Sequence, residues 1–148
     1  MYQDINLQLS AAQAVTVTAL STNVVDLGAA VRDMGKGERI QIDIRVGTAV
    51  TAAGAATVTF QVQVADTPNM VTNVQTVVQS DAIPKALLVA GATIPITIDR
   101  ADPYVGRRYL AINYVVGTGP LTAGTFTAGI VKEIQDPQTS LASGFVVL

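Results

Sequence analysis

Three stretches of this chain place an apolar residue at every second position. Ile40, Ile42, Ile44 and Val46 alternate with Gln41, Asp43 and Arg45. Val58, Phe60, Val62 and Val64 alternate with Thr59, Gln61 and Gln63, and Leu110, Ile112, Tyr114 and Val116 repeat the pattern. Successive side chains of a strand point to opposite faces, so each stretch turns one face to a core and the other outward. The β-branched residues that dominate these rows favour the pleated state. Ile94, Ile96 and Ile98 predict a shorter strand with Pro95 on its other face. Proline has no N–H for a ladder, which predicts an edge strand or a bulge there. Residues 22–27, 74–79 and 126–132 read as further strands, and residues 15–20 as an eighth. Turn residues separate them at Ala53-Gly54, Asp66-Thr67-Pro68-Asn69, Asp102-Pro103 and Gly117-Thr118-Gly119-Pro120. No long stretch has the period of an amphipathic helix. The expected fold is all-β, an eight-stranded jelly-roll β-sandwich.

A chain of 148 residues fits one domain, here 1–148. Residues 1–20 are an N-terminal arm or first strand, and residues 133–148 a C-terminal tail. The chain has no Cys, His or Trp. Without His or Cys, the usual Ser/His/Asp and Cys/His catalytic groupings cannot form, nor can typical zinc sites. No cofactor or metal is expected. Charged residues make up 14% of the chain and the net charge is −2. That leaves no basic footprint for nucleic acid and no polybasic segment for lipid. No apolar run approaches the roughly 20 residues of a membrane span. Met1-Tyr2-Gln3-Asp4 does not read as a signal peptide. A weakly charged surface rich in Ala, Val and Thr suits a protein packed against others.

Asp99, Arg100, Asp102, Arg107 and Arg108 form the densest charge cluster. The plain reading is a solvated turn around Asp102-Pro103. The functional one is docking through the arginines, because Arg makes bidentate contacts with a partner's carboxylates. Acid–base chemistry is disfavoured, since flanking arginines lower carboxyl pKa values. Gly35-Lys36-Gly37-Glu38 lacks the glycine spacing of a phosphate loop and reads as a turn. Asp66, Asp81 and Asp136 read as isolated loop acids. Tyr104, Tyr109 and Tyr114 could suggest a sugar platform, but Tyr114 falls in the apolar register of its strand. Val50-Thr51-Ala52-Ala53-Gly54 and Leu121-Thr122-Ala123-Gly124 echo each other, as two similar loops would. The ends are apolar: Tyr2, Ile5, Leu7 and Leu9 at the start, Phe145, Val146, Val147 and Leu148 at the finish. These residues, with Arg100, Arg107 and Arg108, are the candidate docking or self-association contacts.

Certain segments in order carry a resemblance. Leu9-Ser10-Ala11-Ala12-Gln13-Ala14 precedes Ser21-Thr22-Asn23-Val24-Val25-Asp26-Leu27-Gly28. Arg108-Tyr109-Leu110-Ala111-Ile112-Asn113-Tyr114 leads into Thr118-Gly119-Pro120-Leu121-Thr122-Ala123-Gly124, and Ala142-Ser143-Gly144-Phe145 closes the chain. Nearly the whole chain thus resembles the jelly-roll capsid cement, or decoration, proteins of tailed bacteriophages. The resemblance implies a virion structural protein on the capsid exterior, assembled in the host cytoplasm. It would bind a major capsid protein of HK97-like fold, stabilise the shell against internal DNA pressure and form a homo-oligomer, a dimer before a trimer. It implies no catalytic residues, so no enzyme is expected. The competing reading is a receptor- or glycan-binding β-sandwich of a phage tail or bacterial surface. A carboxylate-based enzyme is a third, without a carboxylate pair at convincing spacing.

Overall fold

The computed structural model describes residues 4–28, 39–98 and 107–131. Ten strands run in chain order as β1 (Gln8–Ala14), β2 (Ala19–Leu20), β3 (Val25–Asp26), β4 (Ile40–Val46), β5 (Thr57–Ala65), β6 (Gln75–Gln79), β7 (Ile83–Pro84), β8 (Thr93–Ile98), β9 (Tyr109–Gly117) and β10 (Thr125–Val131). The helical content of the described residues is two 3-10 turns, at Ile5–Leu7 and Lys85–Leu87. All strand pairs are antiparallel. One sheet has four strands in the order β1-β10-β4-β8; the other has six, along β2-β9-β5-β6, with β3 beside β9 and β7 beside β5. Most connections leave one sheet for the other, which gathers the loops at two opposite ends.

The three alternating rows form the longest strands, and their apolar faces meet between the sheets. Ile42, Ile44 and Val46 come from the small sheet, and Val58, Phe60, Val62, Val64, Leu110, Ile112 and Tyr114 from the large one; all belong to one buried cluster. At its centre Phe60, Tyr114 and Phe126 are wholly buried. Phe60 meets Tyr114 edge-on at 5.8 Å and Phe126 edge-on at 5.2 Å, while Tyr114 and Phe126 stack at 5.3 Å. Such geometries suit the ring quadrupoles and add to the area buried. Tyr114 is core, as its register predicts.

The described residues form ten strands where eight are expected. Residues 15–20 and 22–27 contribute only two strand residues each, in β2 and β3. The segment read as arm or first strand supplies β1, and β7 is a short addition beside β5. The short length of β2 and β3 has a local cause. Ser21–Asn23 bonds to both sheets: the Ser21 N–H donates to the Ile112 carbonyl (2.7 Å) and the Asn23 N–H to the Leu9 carbonyl (2.9 Å). A segment that bridges two layers cannot continue a ladder in one.

Among the described residues every sheet edge is blunted. β8 carries Pro95, as the sequence predicts, and among the described residues pairs with β4 alone. β1 breaks register twice, and its Ala12 has φ +46°. β6 breaks register once against β5. β2, β3 and β7 have two residues each. Proline, bulges and short length are the devices that stop an edge from templating another strand.

Candidate interaction surfaces

At one end of the sandwich, Arg107 and Arg108 precede β9. The Arg108 Nε donates to Asp26 Oδ1 and its Nη2 to Asp26 Oδ2, both at 2.9 Å. The Arg107 Nη1 donates to both carboxylate oxygens of Asp66, at 2.9 and 2.8 Å. Asp66 also accepts from Asn73 Nδ2 at 2.7 Å, so it is no isolated acid. Both guanidiniums thus already hold carboxylates of their own chain, tying the entrance of β9 to β3 and to the 66–74 loop. This removes the sequence-level reason for assigning them to a partner's carboxylates. The Arg108 guanidinium lies 5.0 Å from the centre of the Tyr109 ring.

The Asp26–Arg108 pair has a pH signature. The Arg108 hydrogen bonds, with the Gly28 backbone N–H, hold the Asp26 carboxyl down at about 2. A depressed folded pKa contributes stability above the unfolded value near 3.8, and that stability is lost as pH falls towards about 2. Half-exposed pairs contribute little, so the expected readout is local. The Asp26 carboxyl carbon, followed by NMR, titrates near 2 in the native protein and moves up towards the ordinary range in Arg108→Ala. An unchanged midpoint in the variant would refute the pairing in solution.

Between the sheets runs a chain of polar groups. The Tyr114 hydroxyl donates to Ser10 Oγ (2.8 Å), and Ser10 Oγ donates to Gln13 Oε1 (2.7 Å). The Gln13 Nε2 donates to the Leu20 carbonyl (2.7 Å), while its Oε1 also accepts the Thr22 N–H (2.8 Å). The buried Ser21 Oγ accepts the Ile112 N–H at 3.1 Å and donates to the Asn23 carbonyl at 2.8 Å. These hydroxyls join β1 to β9 and the segment between them. Burial raises the Tyr114 phenol to about 12 against the smaller opposing effect of the Ser10 bond. On the outward row of β4, Asp43 is only 3% exposed, and its Oδ2 accepts from Arg45 Nε at 2.8 Å.

The other end is chemically different. It gathers the β1–β2, β4–β5, β7–β8 and β9–β10 loops. Val17, Leu87 and Val89 stand out into solvent there, 59%, 67% and 54% exposed, while Val71, 69% exposed, does so on the 66–74 loop at the ion-paired end. Large exposed apolar side chains grouped at one place mark interaction surfaces; scattered ones do not. The two echoing segments lie against each other in this end. Thr51 pairs with Ala123, and the Thr51 and Thr122 hydroxyls are 2.7 Å apart. A Cβ on Gly124 would sit 3.0 Å from Val50 Cγ2, so glycine allows the close approach. Their likeness reflects two strand-entry loops packed on one another.

The sequence candidates therefore separate. Ile5 is 79% exposed, and Leu7 is partly buried against the core. Leu9 is wholly buried; the expectation that it contacts a partner is corrected, because its side chain fills the domain's own core. Tyr2, Arg100, Phe145, Val146, Val147 and Leu148 lie outside the described residues, as do Asp99, Asp102, Tyr104, Asp136 and the Gly35-Lys36-Gly37 turn. Of the three tyrosines considered as a sugar platform, Tyr114 is core and Tyr109 neighbours the Arg108 guanidinium. Sequence reasoning missed Val17, Leu87 and Val89. Val17 falls in residues 15–20, read as a strand, and Leu87 and Val89 in a stretch given no element.

The class that these features define is an all-β protein of two facing sheets, with ion-paired loops at one end and almost uncharged loops at the other. Residues 9–130 match the model of the Bbp16 family, and the chain belongs to that family. No curated protein matches it.

Proposed function

We propose that this protein is a virion structural protein, a capsid cement protein. It would bind the outside of a shell of HK97-like major capsid protein and hold neighbouring subunits together against internal DNA pressure. The observation that carries this reading is the apolar loop end, where Val17, Leu87 and Val89 are exposed on loops tied together by backbone hydrogen bonds. The cement-protein resemblance across the chain supplies the partner. Connections that pass from sheet to sheet are compatible with a jelly-roll variant, the finer fold this reading assigns. The blunted edges disfavour docking by strand addition and favour the loops as the contact surface.

A cement protein acts by bridging. Once one contact forms, the next is effectively intramolecular, so modest contacts add to high avidity. A homodimer would provide two such contacts in one particle. The test is composition and add-back. Purified virions should contain the protein in stoichiometric amounts, and purified protein should bind undecorated shells and raise their disruption temperature. Absence from virions together with no binding to shells would end this reading.

A further inference from the structure

Two clefts open at the apolar loop end. One, of about 370 Å³, is lined by Val50, Ala52, Lys85, Ala86, Leu88 and Val89. The other, of about 520 Å³, is lined by Val17, Thr18, Val116, Gly119 and Pro120. The Thr51–Ala123 bridge and the Thr51–Thr122 hydroxyl contact link the β4–β5 and β9–β10 loops that contribute to these clefts. We infer that both clefts receive apolar side chains from one uncharged face of the shell protein, so that docking is driven by apolar burial and not by charge. This rests on the shell-binding reading above.

Charge decides the kind of partner. Lys85 is the one charged residue among those lining the clefts, and its ammonium already donates to the Ala52 carbonyl. Apart from that one ammonium, a charged partner surface would lose water here and meet no opposite charge, which is unfavourable. An uncharged apolar surface loses nothing comparable and gains by burial.

Rigidity favours the same use. The Val50 N–H donates to the Leu88 carbonyl (2.9 Å), and the Thr51 N–H to the Ala123 carbonyl (2.9 Å). The Leu121 N–H donates to the Thr16 carbonyl (2.8 Å), and the Val15 N–H to the Gly124 carbonyl (3.0 Å). All four loops are thereby joined into one block. A surface already ordered loses less conformational entropy on binding. Bonding across the block also means that both clefts are presented together.

The experiment compares wild type, Val17→Asp, Val89→Asp and the double variant for binding to undecorated shells, by co-sedimentation at ~0.05 M and ~0.5 M salt. Wild type should bind equally at both salts. Each single variant should bind about tenfold more weakly or worse, and the double variant weaker still. Both positions are exposed, so thermal melts should match wild type; Val17→Ser and Val89→Ser replace any variant that does not fold. Wild type binding with variants equal to it would overturn the two-cleft inference while leaving the shell-binding reading intact. Binding that falls steeply with salt would overturn it likewise. So would variants that dissolve a homo-oligomer but still bind shells, because the occupant would then be a second copy. No binding by wild type at either salt would refute both.

Discussion

Phe126→Ala is expected to lower the unfolding free energy by about 3–5 kcal/mol. Phe126 is wholly buried and touches both other central rings, edge-on to Phe60 at 5.2 Å and stacked on Tyr114 at 5.3 Å. It sits on β10, which pairs with β1 on one side and β4 on the other. Neither neighbour can move inward without breaking a ladder, so the cavity would persist. Domains of ordinary stability have about 5–15 kcal/mol in all, so this single change uses a large share. Urea unfolding measures it, with Phe126→Leu as the control that keeps most of the volume and loses much less. A loss below about 1 kcal/mol for the alanine variant would mean that the sheets close over the gap, contrary to the packing described.

The second large effect is alkaline. The Tyr114 phenol has its pKa raised by burial from 10.0 to about 12. As pH rises past 10 the unfolded chain releases this proton while the folded chain keeps it, so stability falls. The contribution is fully present below the unfolded value and is lost as pH rises through the folded one. A shift of this size corresponds to roughly 2–3 kcal/mol between pH 10 and 12. Tyr114→Phe should remove that part of the pH dependence. At neutral pH it should cost about 0.5–1.5 kcal/mol, because Ser10 Oγ loses its donor. Denaturant midpoints across this range, for both proteins, give the answer. Parallel pH profiles for the two would show that Tyr114 titrates normally and that its hydroxyl is not held as described.

What could be read from residue order follows its physics closely. Alternation at β4, β5 and β9 is a local property, because the pleat itself sends neighbours to opposite faces. The same holds for Pro95, whose missing N–H suits an edge whatever lies around it. β1 lacks this alternation, although residues 1–20 are read as an arm or first strand. Its sequence, Gln-Leu-Ser-Ala-Ala-Gln-Ala, carries Ser10 and Gln13 where a core strand would carry apolar residues. They are at home there only because Tyr114, 104 positions from Ser10, completes the hydrogen-bonded chain. A polar residue inside a strand is costly or favourable according to its partner.

The arginines show the same limit. Arg107 and Arg108 stand out in the sequence as a cationic pair, but not that Asp66 and Asp26 neutralise them across 41 and 82 positions. The apolar end is the clearest case. Val17, Leu87 and Pro120 are unremarkable singly in their loops and become a surface only when three loops arrive at one end of the sandwich. The sequence by itself determined that this chain builds facing sheets and lacks the side chains of the commonest catalytic and zinc sites. Tertiary structure alone decided which polar groups are spent internally and which apolar groups are left over. Periodicity is set by each residue's own backbone, whereas satisfaction and exposure belong to pairs of residues far apart in the chain.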